Sequence, residues 1–149
     1  MADKRGRAWW DKFYVDMAEF MSTASKDRWT KVGAVLVGVD NYGIGHGFNG
    51  FPRGVADTEK RLSDRVLKNR LTLHAERNAI LSSNRDLVGA CLYTWPLPSC
   101  SDCTAMMIQA GIKRHVAPAV PSHLVERWQE NIDLALSMYK EAGVEVVIL

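Results

Sequence analysis

The chain has 149 residues, of which 47% are hydrophobic and 24% charged, and its formal net charge is +2. These values predict one compact domain spanning residues 1–149. The mild charge argues against nucleic acid as a partner. The sequence has no apolar run of 18 or more residues, so we expect neither a membrane span nor membrane association. The first ten residues show no secretory-signal pattern, and the cytoplasm is therefore the expected location.

The first half of the chain predicts a helix followed by a β-hairpin. Apolar residues recur at helical spacing over residues 7–25. The valine-rich segment 31–39 predicts a buried strand, "DNYG" a turn, and residues 44–49 a second strand. The polar segment 50–70 predicts mostly loop, with a short helix at about residues 62–67. A loop of that length in a compact domain is usually functional or mobile.

The second half alternates helices with strands. The predicted helices cover residues 74–83, 100–111 and 121–142, and the predicted strands residues 89–95, 113–118 and 144–149. Strands separated by a helix should run parallel, because a parallel pair needs a crossover, whereas the early hairpin supplies one antiparallel pair. The sequence therefore predicts an α/β domain of three layers, with a mixed five-stranded sheet flanked by helices.

Two short motifs at the starts of two helices predict a metal site. His74 and Glu76 begin one helix, and Cys100 and Cys103 begin the next, with their sulfurs one turn apart on one face. The positive end of a helix dipole favours the thiolate form that binds zinc. One histidine and two thiolates are three of the four ligands of tetrahedral zinc, which leaves one position for water. Zinc lowers the pKa of such a water toward about 7, and Glu76 is close enough to transfer its proton.

Each motif is weak evidence by itself. A lone histidine or a lone Cys-x-x-Cys is often structural, and a glutamate at a helix start is often only a favourable partner of the dipole. Three cysteines are an odd number, and in the cytosol they indicate metal or redox chemistry more often than a structural disulfide. Together, however, His-x-Glu and Cys-x-x-Cys separated by one strand form the signature of zinc-dependent nucleobase deaminases.

Over nearly its whole length the sequence resembles the deoxycytidylate (dCMP) deaminases of the cytidine deaminase superfamily. The segments that carry the resemblance are "SKDRWTKVGAVLV" (Ser25–Val37), "GFNGFPRG" (Gly47–Gly54), "HAERNAI" (His74–Ile80) and "CSDCTAMMIQAGIKR" (Cys100–Arg114). One position departs from the family pattern. The residue before the first cysteine is usually proline, whereas here it is Ser99, with Pro98 one place earlier. We expect serine to alter the approach to the helix slightly without removing a ligand.

The resemblance implies a cytidine-deaminase-like fold and the zinc-dependent hydrolysis of dCMP to dUMP and ammonia, which supplies dUMP for thymidylate synthesis. It makes Zn²⁺ the cofactor and Glu76 the proton shuttle between a ring nitrogen and the leaving amine. The implied zinc ligands are His74, Cys100 and Cys103. The implied substrate contacts are Asn49 at the sugar, the backbone of Ala75 at the pyrimidine edge, Val32 and Gly33 beside the base, and Ser25 and Lys26 at the phosphate.

The resemblance also implies regulation and assembly. Enzymes of this family are commonly activated by dCTP and inhibited by dTTP, at a site away from the zinc and near segment 50–70. The candidate effector contacts are Gly50, Phe51, Arg53, Gly54, Arg61, Arg65 and Lys68, although the charged residues among them are equally compatible with a solvated surface. The two glycines would let backbone N–H groups approach an anion. A homo-oligomer, usually a hexamer, is implied.

Three other functions share part of this pattern. A tRNA adenosine deaminase would need a basic RNA-binding face and a shorter segment than the 24 residues between Asn49 and His74. Short cytidine deaminases that act on free nucleosides have cysteine in place of His74 and no phosphate pocket. A non-catalytic, zinc-stabilised nucleotide-binding module would need neither Glu76 nor an open zinc position.

Overall fold

The computed structural model describes residues 5–149, which form six α-helices around a five-stranded sheet. The helices are α1 (Arg7–Ser22), α2 (Glu59–Ser63), α3 (Arg65–Leu71), α4 (Ala75–Ser82), α5 (Ser101–Gln109) and α6 (Val125–Glu141), with a short 3₁₀ turn at Ser122–Leu124. The strands are β1 (Gly33–Val37), β2 (Gly43–Phe48), β3 (Cys91–Trp95), β4 (Arg114–Ala117) and β5 (Glu145–Ile148). Within the described part of the chain, every helix is too short or too polar to cross a membrane.

The strands are arranged in the order β2-β1-β3-β4-β5. This mixed sheet confirms the predicted fold class. The expectation of a single antiparallel pair was wrong, because β1 is antiparallel to β3 as well as to β2. The connection through α4 carries the chain past β1, so β3 pairs with the first strand of the hairpin and not with the second. The remaining pairs, β3 with β4 and β4 with β5, are parallel as predicted.

Helices cover both faces of the sheet and make the three layers. Alternate residues of β1 point to opposite faces. Val35 packs with α1 residues such as Tyr14 and Ala18, whereas Leu36 packs on the other face with α4, α5 and α6. The metal-binding motifs lie at the starts of α4 and α5, on this second face.

Segment 50–70 is more helical than the sequence analysis predicted. Helices α2 and α3 occupy residues 59–63 and 65–71, and only residues 51–58 before them lack regular structure. Thr58 and Asp64 cap these helices, because their side chains accept hydrogen bonds from the backbone N–H groups of Arg61 and Leu67. Two such N-cap residues, six positions apart, were the signal in the sequence that the prediction of a loop overlooked.

Two glycines of the hairpin allow helices to lie close to the sheet. A Cβ atom on Gly33 would lie 1.8 Å from the carbonyl oxygen of Ala18 in α1. A Cβ atom on Gly47 would lie 2.4 Å from the carbonyl oxygen of Ala75 in α4. The Gly47 contact sets the position of the α4 N-terminus, where the His-x-Glu motif lies.

Candidate active site

The starts of two helices converge at the site. His74 is the N-cap residue of α4 and Cys100 is the N-cap residue of α5, both with extended backbone, and neither side chain caps its own helix. Cys103 follows one turn later in α5 and is fully buried. The positive ends of two helix dipoles therefore meet beside two sulfurs, which favours thiolate anions there.

The side chains of His74, Cys100 and Cys103 form a group that can hold a metal ion. Their three ligand atoms lie within 4.8 Å of one another. His74 Nδ1 is 3.4 Å from each of the two sulfurs. Tetrahedral zinc with usual bond lengths would separate a nitrogen and a sulfur ligand by about 3.6 Å. Among residues 5–149 no other cluster of potential ligands meets this geometry. Hydrogen bonding from Cys103 and from His74 lowers the pKa of Cys100, which favours its thiolate form, whereas the same interaction with Cys100 raises the pKa of Cys103.

Glu76 lies in the first turn of α4, two residues after His74, and is only 4% exposed. It lines a cavity of about 230 Å³ together with His74 and Cys100. Burial raises the pKa of Glu76 above its ordinary value, because removal from water disfavours the charged carboxylate. A carboxyl group with a raised pKa can take up a proton and release it near neutral pH, as a general acid/base must.

Hydrogen bonds from neighbouring elements fix both ligand-bearing helices. Asn78 in α4 donates from Nδ2 to the carbonyl oxygen of Phe48 in β2, at 2.8 Å. Asn131 in α6 accepts the backbone N–H of Ser101 at 2.9 Å and donates to its hydroxyl at 2.9 Å. The edge strand β2 thus fixes the position of α4, and α6 fixes the start of α5. No short sequence motif could have indicated Asn131, because α6 reaches the site only through the fold.

Three of the predicted substrate contacts line the cavity: Val32, Asn49 and Ala75. The side-chain amide of Asn49 is already engaged within the protein. Its oxygen accepts the backbone N–H of Val32 at 2.8 Å, and its nitrogen donates to the carbonyl oxygen of Thr30 at 2.9 Å. Asn49 therefore shapes the wall of the cavity, and its contact with a sugar stays a prediction.

The structure does not bring the other three predicted contacts to this cavity. The hydroxyl of Ser25 is buried and donates to the carbonyl oxygen of Asn49 at 2.8 Å. Lys26 is exposed and pairs with Asp57 instead. Gly33 lies against α1, where its missing side chain provides room for the helix backbone. Packing and local hydrogen bonds account for these residues, and their roles in substrate binding stay predictions that the geometry does not favour.

A buried ion pair that the sequence analysis missed forms another wall of the cavity. Lys68 Nζ lies 2.5 Å from Asp27 Oδ2, and both side chains are 5% exposed. Burial alone would raise the pKa of Asp27, but hydrogen bonds from Lys68 and from the backbone of Thr30 and Trp29 outweigh it, so the pKa is lowered. Lys68 lies in α3. The contact of Lys68 with an effector stays a prediction, although its ammonium group is engaged by Asp27.

Helix α6 supplies two further cavity residues that the sequence analysis missed, Arg127 and Trp128. In the part of the chain that the structure describes, no carboxylate pairs with Arg127. Burial and the nearby charge of Arg65 lower the pKa of Arg127. A guanidinium in this position is suited to an anionic group of a ligand. In the sequence both residues look like ordinary members of an amphipathic helix.

A second cavity of about 310 Å³ adjoins the first, and Asp27, Asn49, Lys68 and Thr72 line both. Of the predicted effector contacts, Gly50, Phe51 and Lys68 line the second cavity.

Gly50 lines the second cavity but is occupied, and Arg61, Arg65, Arg53 and Gly54 are not among the residues that line it. The N–H of Gly50 cannot face an anion, because it donates to the carbonyl oxygen of Leu73 at 3.0 Å. Arg61 donates to the carbonyl oxygen of Ala56 at 2.9 Å, and Arg65 lies 5.8 Å from the centroid of the Trp29 ring. Arg53 and Gly54 are exposed.

Comparisons with known proteins agree with this geometry. Residues 8–119 match the sequence model of the cytidine and deoxycytidylate deaminase zinc-binding region. An uncharacterized deaminase from the luxG 3′ region of Aliivibrio fischeri is 41% identical over 94% of this chain and 93% of its own length. The deoxycytidylate deaminase of Mus musculus is 32% identical over 91% of this chain and 76% of its own.

A solved structure has the same fold. The dCMP deaminase from the cyanophage S-TIM5, crystallised with dCMP and dUMP, superposes with a TM-score of 0.73 at 27% identity, covering 97% of this chain and all of that one. The His-Cys-Cys group and the family match together identify the metal as Zn²⁺, which confirms the predicted cofactor. The chain is therefore a deaminase and belongs to the cytidine and deoxycytidylate deaminase family.

Proposed function

We propose that this enzyme hydrolyses dCMP to dUMP and ammonia and thereby supplies dUMP for thymidylate synthesis. One observation carries the proposal: the buried Glu76, the metal ligands His74 and Cys100, and Arg127 without an ionic partner line a single cavity. The names of the relatives support the same substrate, since both the mouse enzyme and the phage enzyme are deaminases of this nucleotide.

The residues of the cavity suggest how the reaction proceeds. Bound Zn²⁺ supplies a nucleophile at neutral pH by lowering the pKa of water. Glu76 takes up the proton of the attacking water and delivers it to the ring nitrogen beside the amino-bearing carbon. It then takes up the proton of the hydroxyl group formed on that carbon and transfers it to the amine, so that the carbon–nitrogen bond breaks and ammonia leaves. Val32 and the backbone of Ala75 hold the base, and the apolar side chain of Leu97 helps to keep bulk water away.

The 5′-phosphate requires a cation, and Arg127 is the residue that the geometry favours. It lines the cavity without an ionic partner, whereas Lys68 is engaged by Asp27 and Lys26 lies outside the cavity. Arginine is well suited to phosphate because its planar guanidinium can donate two parallel hydrogen bonds. This proposal replaces Ser25 and Lys26 as the phosphate contacts.

Turnover measured with dCMP, deoxycytidine, dCTP and an adenosine-containing RNA stem-loop tests the proposed substrate. We expect dCMP to be converted with the highest kcat/KM. The variant Arg127→Met should raise KM for dCMP and leave the slower reaction with deoxycytidine unchanged, because deoxycytidine carries no phosphate. Preferred conversion of the RNA would assign the protein to the adenosine deaminases instead.

The role of Glu76 is tested separately. Glu76→Gln keeps the shape of the side chain but cannot transfer protons. It should retain one zinc ion per chain while kcat falls by about 10²–10⁴-fold, the usual contribution of general acid/base catalysis. An unchanged kcat would contradict the role of Glu76. A wild-type protein that binds zinc and nucleotides but turns over none of the four substrates would be a zinc-stabilised binding module.

We further propose that dCTP activates the enzyme and dTTP inhibits it. The second cavity supports a site for them, because it adjoins the catalytic cavity and shares its Asp27–Lys68 wall. Coupling between two sites is typically about 1–3 kcal/mol. Saturation curves with dCMP should shift to lower concentration with dCTP and to higher concentration with dTTP. Arg53→Ala should weaken both responses, since Arg53 is exposed, follows Pro52 on the wall of this cavity and has no role in the proposed chemistry. Curves that neither nucleotide moves would show an unregulated enzyme.

We also propose that the chain forms a homo-oligomer, with the hexamer of the family as the expected state. Helix α1 supports this, because Trp9, Phe13, Met17 and Phe20 leave a large apolar area exposed on it, with Phe20 77% accessible. Sedimentation analysis of wild type and of Phe20→Glu should show a larger species that the charge dissociates. A monomeric wild type would contradict the proposal.

A further inference from the structure

Four buried polar side chains lie directly behind the metal-binding cysteines. Ser99, Thr104, His115 and Tyr139 are all completely inaccessible to water. They come from the loop before α5, from α5 itself, from β4 and from α6. None of them lines the catalytic cavity, and the proposed reaction does not use them.

Hydrogen bonds join these residues into one network. The backbone N–H of Ser99 donates to His115 Nε2 at 3.2 Å, and His115 Nδ1 lies 3.2 Å from the carbonyl oxygen of Leu92. A carbonyl can only accept, so Nδ1 carries the hydrogen and Nε2 is the free acceptor. The Ser99 hydroxyl is 2.8 Å from the Tyr139 hydroxyl and 3.0 Å from the Thr104 hydroxyl. Both polar groups that Ser99 brings into the interior are thus satisfied.

The identity of residue 99 explains why the network is needed. Zinc deaminases generally carry proline immediately before the first cysteine of Cys-x-x-Cys. Proline has neither an N–H group nor a hydroxyl, so it requires no hydrogen-bond partner there. Serine adds a donor and a hydroxyl at a position that water does not reach, and each would be costly if it were left unpaired. His115 and Tyr139 supply the missing partners.

We propose that Ser99, His115 and Tyr139 together position Cys100 and thereby set the affinity of the zinc site. Cys100 follows Ser99 directly and begins α5, so a shift of the Ser99 backbone moves its sulfur. A metal site needs ligand distances correct to about 0.2 Å. Loss of residues that orient metal ligands typically costs about 10–100-fold in metal affinity. This inference rests on the zinc site, not on the proposed substrate.

The test is a double-mutant cycle on zinc affinity, measured by competition with a chromophoric chelator. His115→Phe removes the acceptor and leaves the Ser99 N–H unpaired. Ser99→Pro removes the donor, leaves His115 Nε2 unpaired and takes the Ser99 hydroxyl away from Tyr139 and Thr104. We expect each single variant to bind zinc about 10–100-fold more weakly. The double variant should bind zinc more tightly than either single variant, because donor and acceptor are removed together.

A control separates positioning from general loss of stability. Tyr93→Phe removes a buried hydrogen bond, 3.0 Å from the Tyr93 hydroxyl to Asp11 Oδ1, on the opposite face of the sheet. It should lower the melting temperature without changing zinc affinity. If His115→Phe does not fold, Tyr139→Phe and Ser99→Ala test the hydroxyl part of the network in the same cycle, with the same expected rescue in the double variant.

Single variants with wild-type zinc affinity would overturn the proposal. A double variant that binds zinc no more tightly than the tighter-binding single variant would also overturn it. Because zinc binding is measured without any nucleotide, these outcomes are independent of whether dCMP is the substrate.

Discussion

Replacing Gly47 by alanine should disturb both the fold and the catalytic helix. A Cβ atom at this position would lie 2.4 Å from the carbonyl oxygen of Ala75, 2.6 Å from the backbone nitrogen of Ala79 and 2.7 Å from Cβ of Asn78. All three belong to α4 and two are backbone atoms, so no side-chain rotation relieves the clash. Helix α4 must therefore move away from β2.

The cost can be estimated from studies of overpacked cores. Inserting one methyl group into a well-packed interior typically costs about 1–3 kcal/mol. For a domain of this size, each kcal/mol lowers the melting temperature by roughly 2–4 °C. The expected decrease is therefore about 2–12 °C. Because α4 begins directly after His74, its displacement should also weaken zinc binding and lower kcat.

Thermal unfolding of the zinc-loaded protein measures the effect, and Gly43→Ala in the same strand is the control. A Cβ atom on Gly43 would meet no atom within 4 Å, so this variant should match wild type in stability and activity. Equal melting temperatures for the two variants would refute the argument that Gly47 is required for the approach of α4.

Three further predictions concern the buried charges and the metal. Lys68→Met should lower the free energy of unfolding by about 3–5 kcal/mol in chemical denaturation, because it leaves Asp27 buried without its partner. The control Lys26→Met breaks only an exposed ion pair and should not change stability measurably. Acidification should remove the stabilisation that the ionised Asp27 provides. The pKa of Asp27 is lower in the folded than in the unfolded protein, where it is about 4. Its contribution to stability is therefore complete above about pH 4 and is lost as the pH falls through the pKa of the folded protein. Melting temperatures between pH 6 and pH 3 should therefore fall less steeply for Asp27→Asn than for wild type, and parallel curves would contradict this. Removal of zinc with a chelator should abolish turnover and lower the melting temperature, and added Zn²⁺ should restore both.

The sequence predicted the metal-binding group because its information is local. His74 and Glu76 share one helix start and Cys100 and Cys103 share the next, so helix geometry alone places each pair. The five strands could be predicted for a similar reason, since their apolar segments are short and bounded by turns. The pairing of β1 with β3 could not, because it depends on the side of the hairpin to which the crossover returns.

The residues missed at the site are those whose roles depend on partners far away in the chain. Lys68 looked like one cation among several in a polar segment, and only the fold places it against Asp27, 41 residues earlier. Arg127 and Asn131 lie in a helix whose periodic pattern indicated packing alone. Their contributions arise because α6 passes beside the start of α5.

The Asp27–Lys68 pair gives the two cavities a common wall, and this has a consequence for regulation. Asp27 fixes the backbone of Trp29 and Thr30 through its carboxylate, and Asn49 holds the same segment through the Thr30 carbonyl oxygen. The segment continues directly into Val32, which lines the catalytic cavity. A ligand in the second cavity could bind more tightly when α3 is in one position than in another, and it would then shift α3 toward that position. Lys68 would move with α3, and the hold of its partner Asp27 on the backbone of Trp29 and Thr30 would change. Differential affinity for two positions of one shared element is the physical requirement for coupling. If an effector binds near segment 50–70 as proposed, its effect would reach the substrate through the segment around Asp27.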